Sequence, residues 1–418
     1  MKPMKKLVLL TAALTLGGIL TACGSKKEGA ADSGKQKEIE FFFQKQEMVP
    51  TMKEIIKDFE KENPDIKVNL TNVPDGLTVL KTRMASDDVP DVVHAFPALP
   101  DFVEWSKNDM FEDLTDSDIL KDIKEGVPES YAVDDKVYSV PLTNNAYGFF
   151  YNKTAFEKLG LEAPKTWAEF EKTVAAIKKD GQTPFSAALT TDAAGFLNGF
   201  HQLAWATLTG GHEQANDYLL RSPKDAIKVD DSTFEQVADE LDIMHENTQK
   251  NANGATYDDA VAAFATGEAL IFPNGIWALP AIQSQEPDFE VGMFAYPGKE
   301  AGEELTAGAA DLAVSISKTT KNKEAAEKFV SYLASEKAMQ KYYDVDGSPT
   351  FVTSVDTADK FPEIEEVSKL VGTDKQIIWL HNEWDSEADF WYATVDYIVS
   401  GDRSQLAKNL NTFFNSMK

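Results

Sequence analysis

This 418-residue chain has a single cysteine, Cys23. That excludes an internal disulfide framework and a cysteine-rich zinc site. Histidine is scarce too: His94, His201, His212, His245 and His381 are all there are. None stands in a His-x-x-x-His pair, so no zinc-binding helix is written here. A phosphate-binding loop, a dinucleotide glycine fingerprint and a Gly-x-Ser-x-Gly elbow are all missing. Asp344-Val345-Asp346-Gly347 starts like a calcium loop, but its twelfth position is Val355 instead of glutamate. Neither a metal nor a cofactor is expected. Positive charge is in the minority, with 41 Lys and Arg against 69 Asp and Glu, a net charge of −28. This argues against nucleic acid, whose phosphates are bound by Lys and Arg, and against basic-patch attachment to anionic lipid. No apolar run reaches the roughly 20 residues that a comfortable bilayer span needs.

What is present begins with Lys2, Lys5 and Lys6, then an uncharged stretch from Leu7 to Leu20 and small residues up to Cys23. This reads as a secretion signal over residues 1–22. Its end, Leu20-Thr21-Ala22-Cys23, resembles a bacterial lipobox, in which the thiol is acylated and becomes the first residue of the mature protein. Residues 23–37 are rich in Lys, Gly, Ser and Glu and read as a flexible tether. The remaining body of roughly 380 residues exceeds what one hydrophobic core usually holds, so two lobes are expected.

Within the body, Ile39 to Phe43 reads as a short apolar strand. Val49, Met52, Ile55, Ile56 and Phe59 follow at helical spacing. Asn63-Pro64-Asp65 breaks that helix, and Ile66 to Leu70 alternates as a second strand. A helix over Leu77–Met84 and a strand at Asp91–Val93 complete a β-α-β-α-β order. The order predicts an α/β fold with a mainly parallel sheet, whose ligands gather at the carboxyl ends of the strands. Those ends are Gln44-Lys45-Gln46-Glu47 and His94-Ala95-Phe96. A second α/β region follows. Thr166 and Glu169 form a capping box, a helix runs from Thr256 to Ala265, and a strand over Ala269–Phe272 leads to a Pro273-Asn274-Gly275 loop. Leu312–Ile316 reads as a strand, with a helix from about Asn322 to Leu333. No internal repeat is visible.

Several blocks in order resemble the extracellular solute-binding proteins of bacterial ABC sugar importers. They include Asn63-Pro64-Asp65-Ile66, Val89-Pro90-Asp91-Val92-Val93, Tyr147-Gly148-Phe149-Phe150-Tyr151-Asn152-Lys153, Pro164-Lys165-Thr166-Trp167, Ala263 to Glu268, Asn274-Gly275-Ile276-Trp277 and Asp346 to Thr350. Phe43 to Met48, Tyr342 to Pro349 and Ser386 to Phe390 are similar to the raffinose and multiple-sugar binding lipoproteins of Gram-positive bacteria. The resemblance implies a two-lobed fold with hinge strands and a central cleft. The first lobe would take residues 38–147 with about 311–350, the second 148–310 with about 351–418, and the crossings would fall near Tyr147, Asp311 and Gly347. It implies a monomer held by lipid on Cys23 at the outer face of the membrane. That monomer would deliver an α-linked oligosaccharide, of the raffinose or the isomaltose and panose type, to permease subunits driven by a separate ATPase. It also implies a binding protein and not an enzyme. A secreted glycoside hydrolase and a glycan-binding adhesin are the alternatives, since 69 acidic residues offer many carboxylate pairs.

A sugar ring needs a flat aromatic under its C–H face and polar groups around its hydroxyl rim. The chain has seven Trp. By the resemblance, Trp277 after the Pro-Asn-Gly loop, Trp379 and Phe196 are the platforms; Trp105, Trp167 and Trp205 are assigned to the core. If Trp379-Leu380-His381-Asn382 is extended, Trp379 and His381 share a face. Lys45 and His94 stand at the strand ends, and His94 departs from the asparagine usual in the family. Asp311 lies where a carboxylate can accept from two neighbouring hydroxyls. Gln44, Glu47, Asn145 and Asn382 are the further polar candidates.

Overall fold

The computed structural model describes residues 36–73, 76–357 and 360–418. The signal segment, Cys23 and the tether up to residue 35 lie outside the described residues. The strands are β1 (Lys37–Phe42), β2 (Ile66–Thr71), β3 (Val92–Ala95), β4 (Val140–Asn144), β5 (Tyr147–Asn152), β6 (Thr183–Phe185), β7 (Ala269–Gly275), β8 (Val291–Ala295), β9 (Thr306–Ala307), β10 (Ala310–Ile316) and β11 (Gln376–Ile377). They form a five-stranded sheet in the order β2-β1-β3-β10-β4, a four-stranded sheet in the order β6-β7-β5-β8, and a small β11-β9 pair.

The apolar spacing after β1 becomes the helix Val49–Glu62, which buries Met52, Ile55, Ile56 and Phe59 against the first sheet's core. Pro50 sits in its first turn, where a missing N–H costs nothing. Helix Trp167–Lys179 opens on the expected capping box: the Thr166 hydroxyl accepts from the Glu169 N–H, and the Glu169 carboxylate accepts from the Thr166 N–H. It buries Phe170, Val174 and Ile177 in a separate core around the second sheet. A third apolar cluster, with Phe42, Leu80, Val93 and Phe102, also draws on strands of the first sheet. The two sheets with their own apolar clusters make two lobes.

Two expectations about strands change. The first sheet is not simply parallel, because β10 runs antiparallel to both β3 and β4. It arrives from the other lobe and so enters from the opposite end. The Pro273-Asn274-Gly275 loop is instead the end of β7, paired antiparallel with Tyr147–Phe149 of β5. Proline is tolerated there because β6 pairs β7 only as far as Ile271, leaving one side of Pro273 without a neighbouring strand.

The chain passes between the sheets from Asn144 to Tyr147 and from Ala307 to Ala310, and side chains stitch these passages together. The Thr306 hydroxyl accepts from the Tyr147 N–H and donates to the Tyr147 carbonyl, each at 2.9 Å. Gln376 Nε2 donates to the Asn145 carbonyl at 2.8 Å. Beyond Gly347, the Pro349 carbonyl accepts from the Asn144 N–H at 2.7 Å. At Gly308 a Cβ would fall 2.0 Å from the Asn145 carbonyl oxygen, so only glycine lets the two passages lie this close.

Candidate functional site

The strand ends of the first sheet face the second lobe across a cavity of about 310 Å3. Lys45, immediately after the β1 segment, reaches into the first lobe's wall and is 6% exposed. Its ammonium lies 2.5 Å from Asp311 Oδ2, 3.1 Å from Asp346 Oδ1 and 3.8 Å from Glu47 Oε1. Burial works against the Lys45 charge, but the fields of Asp311 and Asp346 outweigh it and hold the ammonium well above its ordinary value. Burial raises the carboxyls of Glu47 and Asp346, with Lys45 pulling the other way. Asp311 also accepts on Oδ1 from Asn145 Nδ2 at 3.1 Å, and Asn145 Oδ1 accepts from the Ala309 N–H at 2.9 Å. Acid, amide and ammonium are thus fixed at the passage between lobes.

The second lobe contributes the rings. Trp277 follows Gly275, whose missing side chain gives it room: a Cβ there would sit 1.9 Å from the indole. Trp277 lies 6.4 Å from Trp379, and Trp379 stacks nearly parallel on His381 at 5.7 Å with 4° between planes. Residues 380–383 form a 3-10 turn and not an extended strand, yet the two rings still share a face. His381 Nδ1 accepts from Gln202 Nε2 at 2.9 Å. Burial lowers its pKa to about 3, so the ring is neutral and its other nitrogen, Nε2, carries the proton. No partner bonds that Nε2–H among the described residues, and His381 lines the cavity.

Eight of the expected residues line this one cavity: Gln44, Lys45, Glu47, Asn145, Trp277, Asp311, Trp379 and His381. Three do not. His94 is fully buried behind the wall, where Nδ1 accepts from the Gln44 N–H at 3.2 Å and Nε2 donates to the Asp311 carbonyl at 2.7 Å. It ties the end of β1 to β10 and so positions Gln44 and Asp311 without facing the cleft. Phe196 turns into the second core against Phe272 and Tyr257, and its neighbour Gly195 reaches the cavity instead. Asn382 is rotated away by the 3-10 turn and bonds His212 at 2.9 Å. Sequence reading missed Asn198, Trp391 and the apolar first-lobe contacts Leu77 and Leu99. Trp391 carried a signal, being a tryptophan just past the Ser386–Phe390 block.

A larger depression of about 520 Å3 lies beside Gly347, Lys360 and Phe361, and it contains none of these buried charges and rings. His212, Glu213 and Glu383 come close together, but Arg221 already bonds both carboxylates.

A family profile described as bacterial extracellular solute-binding protein matches residues 44–340. The chain belongs to this family. It is 48% identical over 420 residues to the multiple sugar-binding protein of Streptococcus mutans, an alignment covering 100% of this chain and 99% of the relative. Among solved structures it is similar to RafE in complex with raffinose, with a TM-score of 0.89 and 49% identity over 91% of this chain and 99% of that one. Against the apo form of RafE from Streptococcus pneumoniae the TM-score is 0.80, at 48% identity over 93% of this chain and 100% of that one. Among the described residues no helix is long and apolar enough to cross a membrane.

Burial also sets the pH response of this family member. It lowers the pKa of His94 to about 4 and those of His201 and His381 to about 3. Unfolded histidines take up protons below about pH 6.5 while these three stay neutral, so stability falls as pH drops through that window. Glu240 works in the opposite sense: burial raises its pKa to about 8, so its contribution fades as pH rises from about 4.5 to 8. Below about pH 6.5 the three histidines act against Glu240 and the other carboxyls that burial raises, Glu47, Asp346, Glu366 and Glu387. Above it the histidines are neutral folded or unfolded, and the fall of stability with rising pH includes the full slope of Glu240 up to about pH 8. Thermal scans of Glu240→Gln from about pH 6.5 to 8 are expected to fall less steeply than those of the wild type, and equal slopes would count against this account.

Proposed function

We propose that this chain is the sugar-binding subunit of an ABC importer, moored by lipid on Cys23. It works as a monomer that hands an α-linked oligosaccharide to the permease. The observation that carries the reading is the pairing, across one cavity, of Trp277 and Trp379 with Lys45, Asn145 and Asp311. Flat rings cover the apolar face of a sugar, and charge-assisted hydrogen bonds satisfy its hydroxyls. The raffinose complex of RafE at 49% identity supports α-galactosides of the raffinose type first, with α-1,6-glucosides such as isomaltose and panose next. Calorimetry with these sugars tests the reading: heat and compaction are expected with one series, and rapid hydrolysis of a bound sugar would replace the receptor with an enzyme.

Gly275→Ala probes the platform directly. The added methyl must push the Trp277 ring out of place, and sugar affinity is expected to drop about tenfold. Unchanged affinity would remove Trp277 from the site.

A further inference from the structure

We propose that Trp391 on the cavity wall, with Glu387 buried one turn before it, builds a distal sugar subsite that reads the length of the oligosaccharide. The proposal rests on the sugar-binding reading above.

Glu387 stands at the N-cap position of the helix Ala388–Ser400, and Trp391 follows it by one turn, its N–H donating to the Glu387 carbonyl at 3.2 Å. Trp391 lines the cavity from the second lobe, together with Leu77 and Leu99 from the first. Its indole rests against Gly195, where a Cβ would come within 3.1 Å of the ring. Trp277, Trp379 and Tyr147 pack on one another, whereas no aromatic ring among the described residues pairs with Trp391. Its face is therefore not claimed by another ring of the protein.

One polar atom of each residue is also unclaimed. Trp391 Nε1 is buried without an acceptor. Glu387 is 2% exposed, and its Oε2 is buried without a donor. Lys81 of the first lobe stands 3.8 Å from the other oxygen and shares its charge with Asp101 at 2.8 Å. A buried N–H and a buried carboxylate oxygen are costly to leave unmade. A sugar hydroxyl is acceptor and donor at once, so hydroxyls on one ring can accept from Nε1 and donate to Oε2. The same ring's C–H face covers the indole. Because Lys81 reaches Glu387 from the opposite lobe, this corner is assembled only when the lobes are together. A disaccharide held by Lys45, Asp311, Asn145 and His381 has no ring to place here; a trisaccharide does.

Calorimetry on the full chain tests this with melibiose and raffinose, or with isomaltose and panose where the wild type prefers glucosides. Trp391→Ala is expected to weaken the trisaccharide about tenfold or more and the disaccharide by less than about threefold. Trp391→Phe keeps a flat face but loses the N–H, and it should fall between. Glu387→Gln should also act on the trisaccharide alone. Equal losses for both sugars, or an unchanged trisaccharide affinity in Trp391→Phe and Glu387→Gln, would overturn the distal subsite. A wild type that binds none of the four sugars would overturn the sugar reading and this one with it.

Discussion

Lys45→Met is expected to lose about 3–5 kcal/mol of folding stability and all measurable sugar binding, because it leaves buried carboxylates without their cation. Asp311, Asp346 and Glu47 all face the Lys45 ammonium within 4 Å, and Asp346 is fully buried. A thioether of similar length fills the space but cannot offset their charge. The pH dependence identifies the cause. Burial already raises Glu47 and Asp346, and without Lys45 they rise further. A carboxyl raised in the folded state binds protons that the unfolded state has released, so its penalty grows as pH climbs through the window. Urea unfolding at pH 5 and pH 8 should therefore show a larger deficit at pH 8. An equal deficit at both would mean that lost packing, not charge, explains the variant.

Trp379→Ala should have the next largest effect. The ring is 8% exposed and sets the others: Tyr147 meets it edge-on at 6.2 Å, Trp277 lies 6.4 Å away, and His381 stacks on it. Its removal takes away a sugar face and the support of two more. Affinity is expected to fall about a hundredfold, and stability by about 3 kcal/mol, in line with aromatic truncations in cores. Trp379→Phe, which keeps a flat face, should recover most of both. Calorimetry and urea titration on the same samples separate the two losses. Affinity within about threefold of wild type in Trp379→Ala would exclude stacking on this ring.

Local chemistry was legible in the sequence wherever the decisive neighbours are close in the chain. The capping box at Thr166, the buried face of Val49–Glu62 and the strand-end position of Lys45 all follow from spacing. His94 was misplaced because β3 is buried on both faces, so period-two alternation does not say which side chain looks into the cleft. Phe196 and Asn382 were misplaced because both lie on 3-10 turns, which rotate successive side chains differently from a strand or an α-helix. Asp346 falls in a failed calcium loop and in two of the family blocks, and neither marks it as a partner of Lys45. Its partnership with Lys45 joins residues 301 positions apart, and no local pattern encodes that.

Strand β10 lies in the middle of the first sheet, between β3 and β4, although all of the second sheet separates it from β4 in the chain. The second core is likewise unfinished until Ile364 to Phe414 have joined it. Neither lobe is therefore encoded as a contiguous piece, and neither can be cut out and kept. Closing such long loops is slow, because their entropy is lost before the contacts that reward it are made. The first lobe's core is complete only at Val352 and the second's only at Phe414. A protein of two lobes is thereby expected to melt as one, in a single cooperative transition over residues 36–418.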